Sequence, residues 1–122
     1  MDLKINGKIW PLRFGFSSII DFCREQDLEM EDFAKWVVSM MNKDKINFED
    51  LERFAVLVWH GIKCGCYYEK FDFSLEKVEV IDCIVDETIL YPAFMELLKS
   101  MPANSKDQKV AEKKASGGTK KK

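Results

Sequence analysis

Long apolar runs are missing from this sequence of 122 residues. The longest, residues 54–59, is far shorter than the about 20 residues that a membrane-spanning helix needs. The first eight residues also lack the basic segment and apolar stretch of a secretion signal, since charged and apolar residues alternate from the start. We therefore expect a protein without a membrane span, located inside the cell.

Histidine occurs once and cysteine four times. Without a secretion signal, the cysteines are expected to remain thiols in a reducing compartment. His60 and Cys64 stand four residues apart, a helical spacing that suits a base and a nucleophile. No oriented third group, oxyanion loop or glycine-rich phosphate loop accompanies them. We therefore predict no catalytic residue and no enzyme activity.

His60, Cys64 and Cys66 are weak candidates for a metal site. Histidine nitrogen and cysteine sulfur are zinc ligands, but a structural zinc site needs four ligands, and Cys-x-Cys is not the usual spacing. The alternative is a pair of buried cysteines beside a surface histidine, and we favour it. We expect no metal and no cofactor.

Charge divides the chain into two parts. Residues 1–101 carry 12 basic and 19 acidic residues, a net charge of −7 that argues against a nucleic-acid platform. Residues 102–122 contain seven lysines against Asp107 and Glu112, a net charge of +5, and have no large side chain to bury. The prediction is one hairpin plus helical domain, residues 1–101, followed by a disordered lysine-rich tail, residues 102–122.

A hairpin is predicted at the start of the chain. Asn6 and Gly7 are the residue types that tolerate the two positive φ angles of a type I′ turn, and apolar residues flank them on both sides. Pro11 lacks an amide donor, so the second strand should lie at an edge or break there.

Apolar periodicity predicts about five helices after the hairpin. The first should place Phe16, Ile19, Ile20 and Cys23 on its buried side, with Ser17 as its cap. The second should bury Met30, Phe33, Ala34, Val37 and Met41 and end near Asn42. The third should begin at an Asn47 cap and end near Gly65, because glycine weakens a helix.

The last two helices have weaker boundaries. Ser74 is the expected cap of the fourth, and a turn at residues 86–88 should precede the fifth, which starts near Ile89. Pro92 is tolerable only in the first turn of that helix. The predicted buried side of the fourth helix is Leu75, Val78, Ile81, Ile84 and Val85. The fold class is thus mainly α (α+β), a short N-terminal β-hairpin followed by a bundle of about five helices.

Two groups of residues are candidates for binding a partner. Trp36 and Val38 lie off the main apolar stripe of the second helix, so they suggest a partner surface on its back. The lysine tail is expected to stay solvated or to make transient electrostatic contacts. Its candidate residues are Lys113, Lys114, Lys120, Lys121 and Lys122.

The segment LKINGKIWPLRFGF, residues 3–16, resembles the start of tail assembly chaperones of long-tailed bacteriophages. In that family a hairpin of pattern I-N-G-K-x-Y-x-L-x-F precedes a helix. The pattern around residues 57–65 is also similar. The segment FSLEKV, residues 73–78, leading into Asp82, looks like the family's later helix entry. The resemblance covers roughly residues 1–101.

This resemblance implies a non-enzymatic phage or prophage factor in the cytoplasm of the bacterial host. It would bind the tape measure protein and the tail tube protein during tail assembly and be absent from the mature virion, with self-association left open. Family members are often extended by programmed ribosomal frameshifting. Consecutive AAA codons at Lys113 and Lys114 or at residues 120–122 would supply the slippery site, which the gene sequence would reveal.

The alternative is a small intracellular regulatory adaptor or a nucleic-acid-associated protein that attaches through its basic tail. The acidic charge of residues 1–101 makes a nucleic-acid partner the weaker hypothesis.

Overall fold

The computed structural model describes residues 1–43 and 45–101 of the chain. Two strands come first and five helices follow, so the prediction of a hairpin and a helical bundle is confirmed. The predicted disorder of residues 102–122 lies outside the described residues. The elements are β1 (Asp2–Ile5), β2 (Lys8–Pro11), α1 (Phe16–Gln26), α2 (Met30–Asn42), α3 (Phe48–Glu69), α4 (Lys77–Cys83) and α5 (Glu87–Ser100).

The hairpin follows from its turn residues. Asn6 and Gly7 both have positive φ, 53° and 80°, as a type I′ turn requires. β1 and β2 pair antiparallel, with Leu3 opposite Trp10, and both of these side chains are buried. β2 ends at Pro11 as predicted, since proline cannot donate a further ladder hydrogen bond.

The start of α1 differs from the prediction. Gly15 is its N-cap residue and no side chain caps it, so the Ser17 cap is wrong. The hydroxyl of Ser18 donates instead to the Gly15 carbonyl, at 2.6 Å. Phe16 was predicted on the buried side but is largely exposed, while Ile19 and Cys23 are buried as expected.

α2 ends at Asn42, as predicted, but its buried face is rotated. Glu29 and Asp32 form a capping box at its start, which satisfies two orphan amides. Met30 and Met41, predicted to be buried, are both exposed. The buried residues of α2 are Phe33, Trp36, Val37 and Met40.

α3 is the central helix. The Asn47 side chain accepts a hydrogen bond from the Asp50 amide at 2.7 Å, so the predicted cap is confirmed. The helix continues to Glu69, four residues beyond the predicted end at Gly65. Gly65 is needed for packing, because a Cβ at this position would lie 2.7 Å from the carbonyl carbon of Pro11.

The boundaries of α4 and α5 also required correction. α4 begins with a capping box of Glu76 and Glu79, and Ser74 does not cap it. α5 starts at Glu87 with Asp86 as its cap, so Pro92 is the sixth helical residue and lies beyond the first turn. Without an amide proton, Pro92 cannot donate to the carbonyl four residues earlier.

The buried side of α4 differs from the predicted set. Val78 and Val85 are exposed, whereas Leu75 and Ile84 are buried as expected. Val80, which the prediction left out, is completely buried.

Within the described residues, no helix combines the length and the apolar character that a membrane span requires.

Candidate functional site

His60 and Cys64 line one cleft of about 400 Å³, on the side where α1 meets the C-terminal half of α3. Both side chains lie on α3 and are buried. Lys63, Tyr67, Tyr68 and residues of the first two turns of α1 complete the lining. The helical spacing of the histidine and the cysteine therefore has the predicted consequence, since the two residues share a cleft.

His60 is buried and not on the surface, so the sequence-based expectation of a surface histidine is wrong. Its Nε2 lies 2.8 Å from Glu25 Oε1, and the second oxygen of Glu25 accepts from Lys77 Nζ at 2.9 Å. One carboxylate thus connects α1, α3 and α4. The ring of His60 also packs edge-on against Trp59, whose indole donates to the Leu75 carbonyl at 2.8 Å.

The carboxyl group of Glu25 has a lowered pKa. Burial raises it, but the hydrogen bonds from Lys77 and His60, together with their charges, outweigh this effect. A lowered folded-state pKa stabilises the protein above the unfolded-state value of about 4.5, and this contribution is lost as the pH falls through the folded-state value. Acid therefore weakens the junction of α1, α3 and α4.

We expect Glu25→Gln to flatten the acid side of the stability profile. Urea unfolding between about pH 3 and pH 6 should show a smaller loss of stability for the variant than for the wild type. The control is Glu31→Gln, which removes a largely exposed helical ion pair with Lys35. Equal acid sensitivity of Glu25→Gln and the wild type would show that the Glu25 carboxylate does not provide this contribution.

The three candidate metal ligands do not converge. Cys66 does not line the cleft that holds His60 and Cys64, and its neighbouring charges are those of Lys8 and Asp72. Burial raises the pKa of the Cys66 thiol, which disfavours the thiolate that a metal would need. Among the described residues, no group of three or more histidine, cysteine or acidic side chains is arranged to hold a metal ion.

Trp36 and Val38 do not share one surface. Val38 is about half exposed, but Trp36 is only 8% exposed and belongs to the core, so the predicted placement of Trp36 on the back surface of α2 is wrong. The Trp36 indole donates to Asp50 Oδ1 at 3.1 Å, and Lys43 pairs with the other oxygen of the same carboxylate. Only Val38 of the pair is available to a partner.

α5 presents an apolar surface that has no partner among the described residues. Glu96 is the only charged residue between positions 89 and 98. One side of the helix faces the core with Ile89, Ala93 and Leu97, yet Tyr91 and Met95 on other sides are 59% and 56% exposed. A helix that is apolar all round is normally buried.

A groove of about 280 Å³ separates the outer side of α5 from the C-terminal end of α2. Its surface is mainly apolar and includes the flexible side chain of Met41, which is half exposed. The α2–α5 groove is lined by Met40, Met41, Lys43, Ile46, Leu90, Tyr91 and Phe94. Sequence reasoning placed Met41 in the core and so missed this surface, although the near absence of charge in α5 was a visible signal.

The lysine candidates of the tail, Lys113, Lys114, Lys120, Lys121 and Lys122, lie outside the described residues.

The described residues form a small α+β domain, a hairpin packed with five helices, with an open apolar groove on one side. No protein-family model, curated protein or solved structure matches this chain.

Proposed function

We propose that this chain is a non-enzymatic tail assembly chaperone of a long-tailed phage or prophage. The observation that carries the proposal is the α2–α5 groove beside the apolar outer side of α5. Contiguous apolar surface of this kind usually marks a site of protein binding, because water is released when a partner covers it. The order of a hairpin followed by small helices also suits the family that residues 3–16 resemble.

The proposed partners are the tape measure protein and the tail tube protein, bound during tail assembly in the bacterial cytoplasm. A chaperone must cover apolar segments of an unassembled partner and later release them. Methionine suits this task, because its unbranched side chain adapts to different contact surfaces. Met41 in the groove and Met95 on the outer side of α5 are both at least half exposed.

We expect the full chain to capture a tape measure or tube protein, or to raise its solubility, when the proteins are produced together. The measurement is a pull-down combined with the soluble fraction of the partner. Tyr91→Ser should reduce capture by about tenfold, since it removes most of an exposed aromatic contact from the groove. Val78→Ser, an equally exposed apolar position on α4, is the matched control.

Failure to capture either protein with a folded chain would contradict the proposal. In that case the tail becomes the next target, through a gel-shift assay with DNA at low salt. A shift that disappears with rising salt would support the adaptor or nucleic-acid-associated alternative.

A further inference from the structure

We infer that the α2–α5 groove binds an amphipathic helix whose apolar stripe is flanked by lysine or arginine. This inference rests on the proposed function in taking the occupant to be another protein, and it adds the shape and the charge of the segment that is bound.

The form of the groove fits a helix. Two helices, α2 and α5, form its walls, and side chains from both line it. Ile46, in the loop between α2 and α3, also lines the groove. A third amphipathic helix can lay an apolar stripe between two such walls, as peptide ligands do in helix-binding grooves. Phe94 lines the groove as well, and its ring packs edge-on against Phe54 of α3, at 5.7 Å between ring centroids.

The exposed side chains at the α5 end of the groove are acidic. Asp86 and Glu87 are exposed at the start of α5, and Glu87 stands one turn before Tyr91 on the same side of the helix. The C-terminal end of α2, whose carbonyl groups carry partial negative charge, has no basic residue in its last turn. Two lysines lie nearby: Lys43 in the lining, whose charge is balanced by Asp50, and exposed Lys45, which precedes the lining residue Ile46.

A second copy of this chain is a poor occupant. Residues 1–101 carry a net charge of −7, so a symmetric dimer through this groove would bring two negative surfaces together.

The tail of the same chain is also a poor occupant. Residues 102–122 are basic, but their apolar side chains are short or isolated and include no aromatic residue, leucine or isoleucine. A basic helix with an apolar stripe matches both properties of the groove.

The test uses two synthetic amphipathic peptides of about 18 residues, roughly 27 Å as a helix. Both have the same leucine stripe, flanked by lysines in one peptide and by glutamates in the other. We expect the full chain to bind the lysine peptide at least about tenfold more tightly at low salt, with the difference shrinking as salt rises. Fluorescence anisotropy of the labelled peptides gives both dissociation constants.

Variants of the full chain locate the site. The double change Met41→Ser and Tyr91→Ser should weaken the lysine peptide by about tenfold or more, and Glu87→Lys should reduce its preference by about two- to fivefold. The α4 control, Val78→Ser with Val85→Ser, removes one exposed side chain from α4 and one from the turn that follows it. Neither residue lines the groove, so binding should be unchanged. Circular dichroism verifies that each variant is folded.

Three results would overturn the inference. The two peptides could bind equally well, the α4 control could lose binding as strongly as the groove variant, or the wild type could form dimers that the groove variant abolishes. Capture of a tape measure or tube protein that survives Met41→Ser with Tyr91→Ser would contradict this inference but leave the proposed function standing. Binding of the lysine peptide in the groove without capture of either protein would support this inference but contradict the proposed function.

Discussion

Replacement of Gly65 with alanine is expected to destabilise the fold by about 2–3 kcal/mol. Gly65 lies inside α3, where alanine would ordinarily add about 1 kcal/mol of helix stability. Here the new methyl group would meet the backbone of Pro11, with the carbonyl carbon at 2.7 Å and the carbonyl oxygen closer still. Because backbone cannot rotate away as a side chain does, β2 and α3 must separate. Urea unfolding followed by tryptophan fluorescence measures the change.

The control for this experiment is Ser39→Ala, a partly exposed position in the interior of α2. It reports the effect of alanine on helix propensity without any change in packing, and should be neutral or slightly stabilising. Gly65→Ala with the same small effect would show that the contact between α3 and Pro11 is loose. The expected result is therefore a clear destabilisation by Gly65→Ala beside a neutral or slightly stabilising Ser39→Ala.

The hairpin could be predicted because its determinants are local. Asn6 and Gly7 adopt positive φ angles at little cost, and Pro11 removes the next donor of the ladder. No distant contact was needed to place these features. The Asn47 cap was predictable for the same reason, since its side chain reaches an amide only three residues later.

The errors in the helices arise where several local signals compete. Ser17 and Ser74 are good capping residues, but neither occupies the N-cap position. Gly15 is the N-cap residue of α1, and Glu76 is that of α4, where it forms a capping box with Glu79. Gly65 was taken as a helix terminator, although its role is to admit the Pro11 backbone. A sequence shows that a glycine weakens a helix, but not that a second segment crosses there.

The candidate site depended on distant contacts and was only partly predictable. Glu25 and His60 are 35 positions apart in sequence, and nothing local indicates that they pair. Apolar periodicity also cannot separate a stripe that faces the core from one that faces a partner. Met41 was therefore assigned to the core and Trp36 to the surface, and the structure has them the other way round.

Asp50→Ala is expected to destabilise the protein by about 2–4 kcal/mol. The carboxylate of Asp50 is buried and accepts hydrogen bonds from the Trp36 indole and the Lys43 ammonium. Burial raises its pKa, but hydrogen bonds from Lys43 and Trp36 and the charges of Lys43 and Arg53 outweigh this effect. The pKa of Asp50 is therefore lowered. Without the carboxylate, the buried indole N–H of Trp36 loses its acceptor. Lys43 is partly exposed and can return to water, which limits the loss.

Two further variants separate the parts of this effect. Asp50→Asn keeps an oxygen for Trp36 but removes the charge that binds Lys43, so it should cost less than Asp50→Ala. Glu52→Ala changes an exposed carboxylate two positions later and should shift stability by less than about 0.5 kcal/mol. The stabilisation from the lowered pKa of Asp50 is complete above the unfolded-state value and is lost as the pH falls through the folded-state value, so the gap between wild type and Asp50→Ala should narrow in acid. A gap that stays constant through the acid range would mean that the carboxylate's charge is not what holds Trp36 and Lys43 in place.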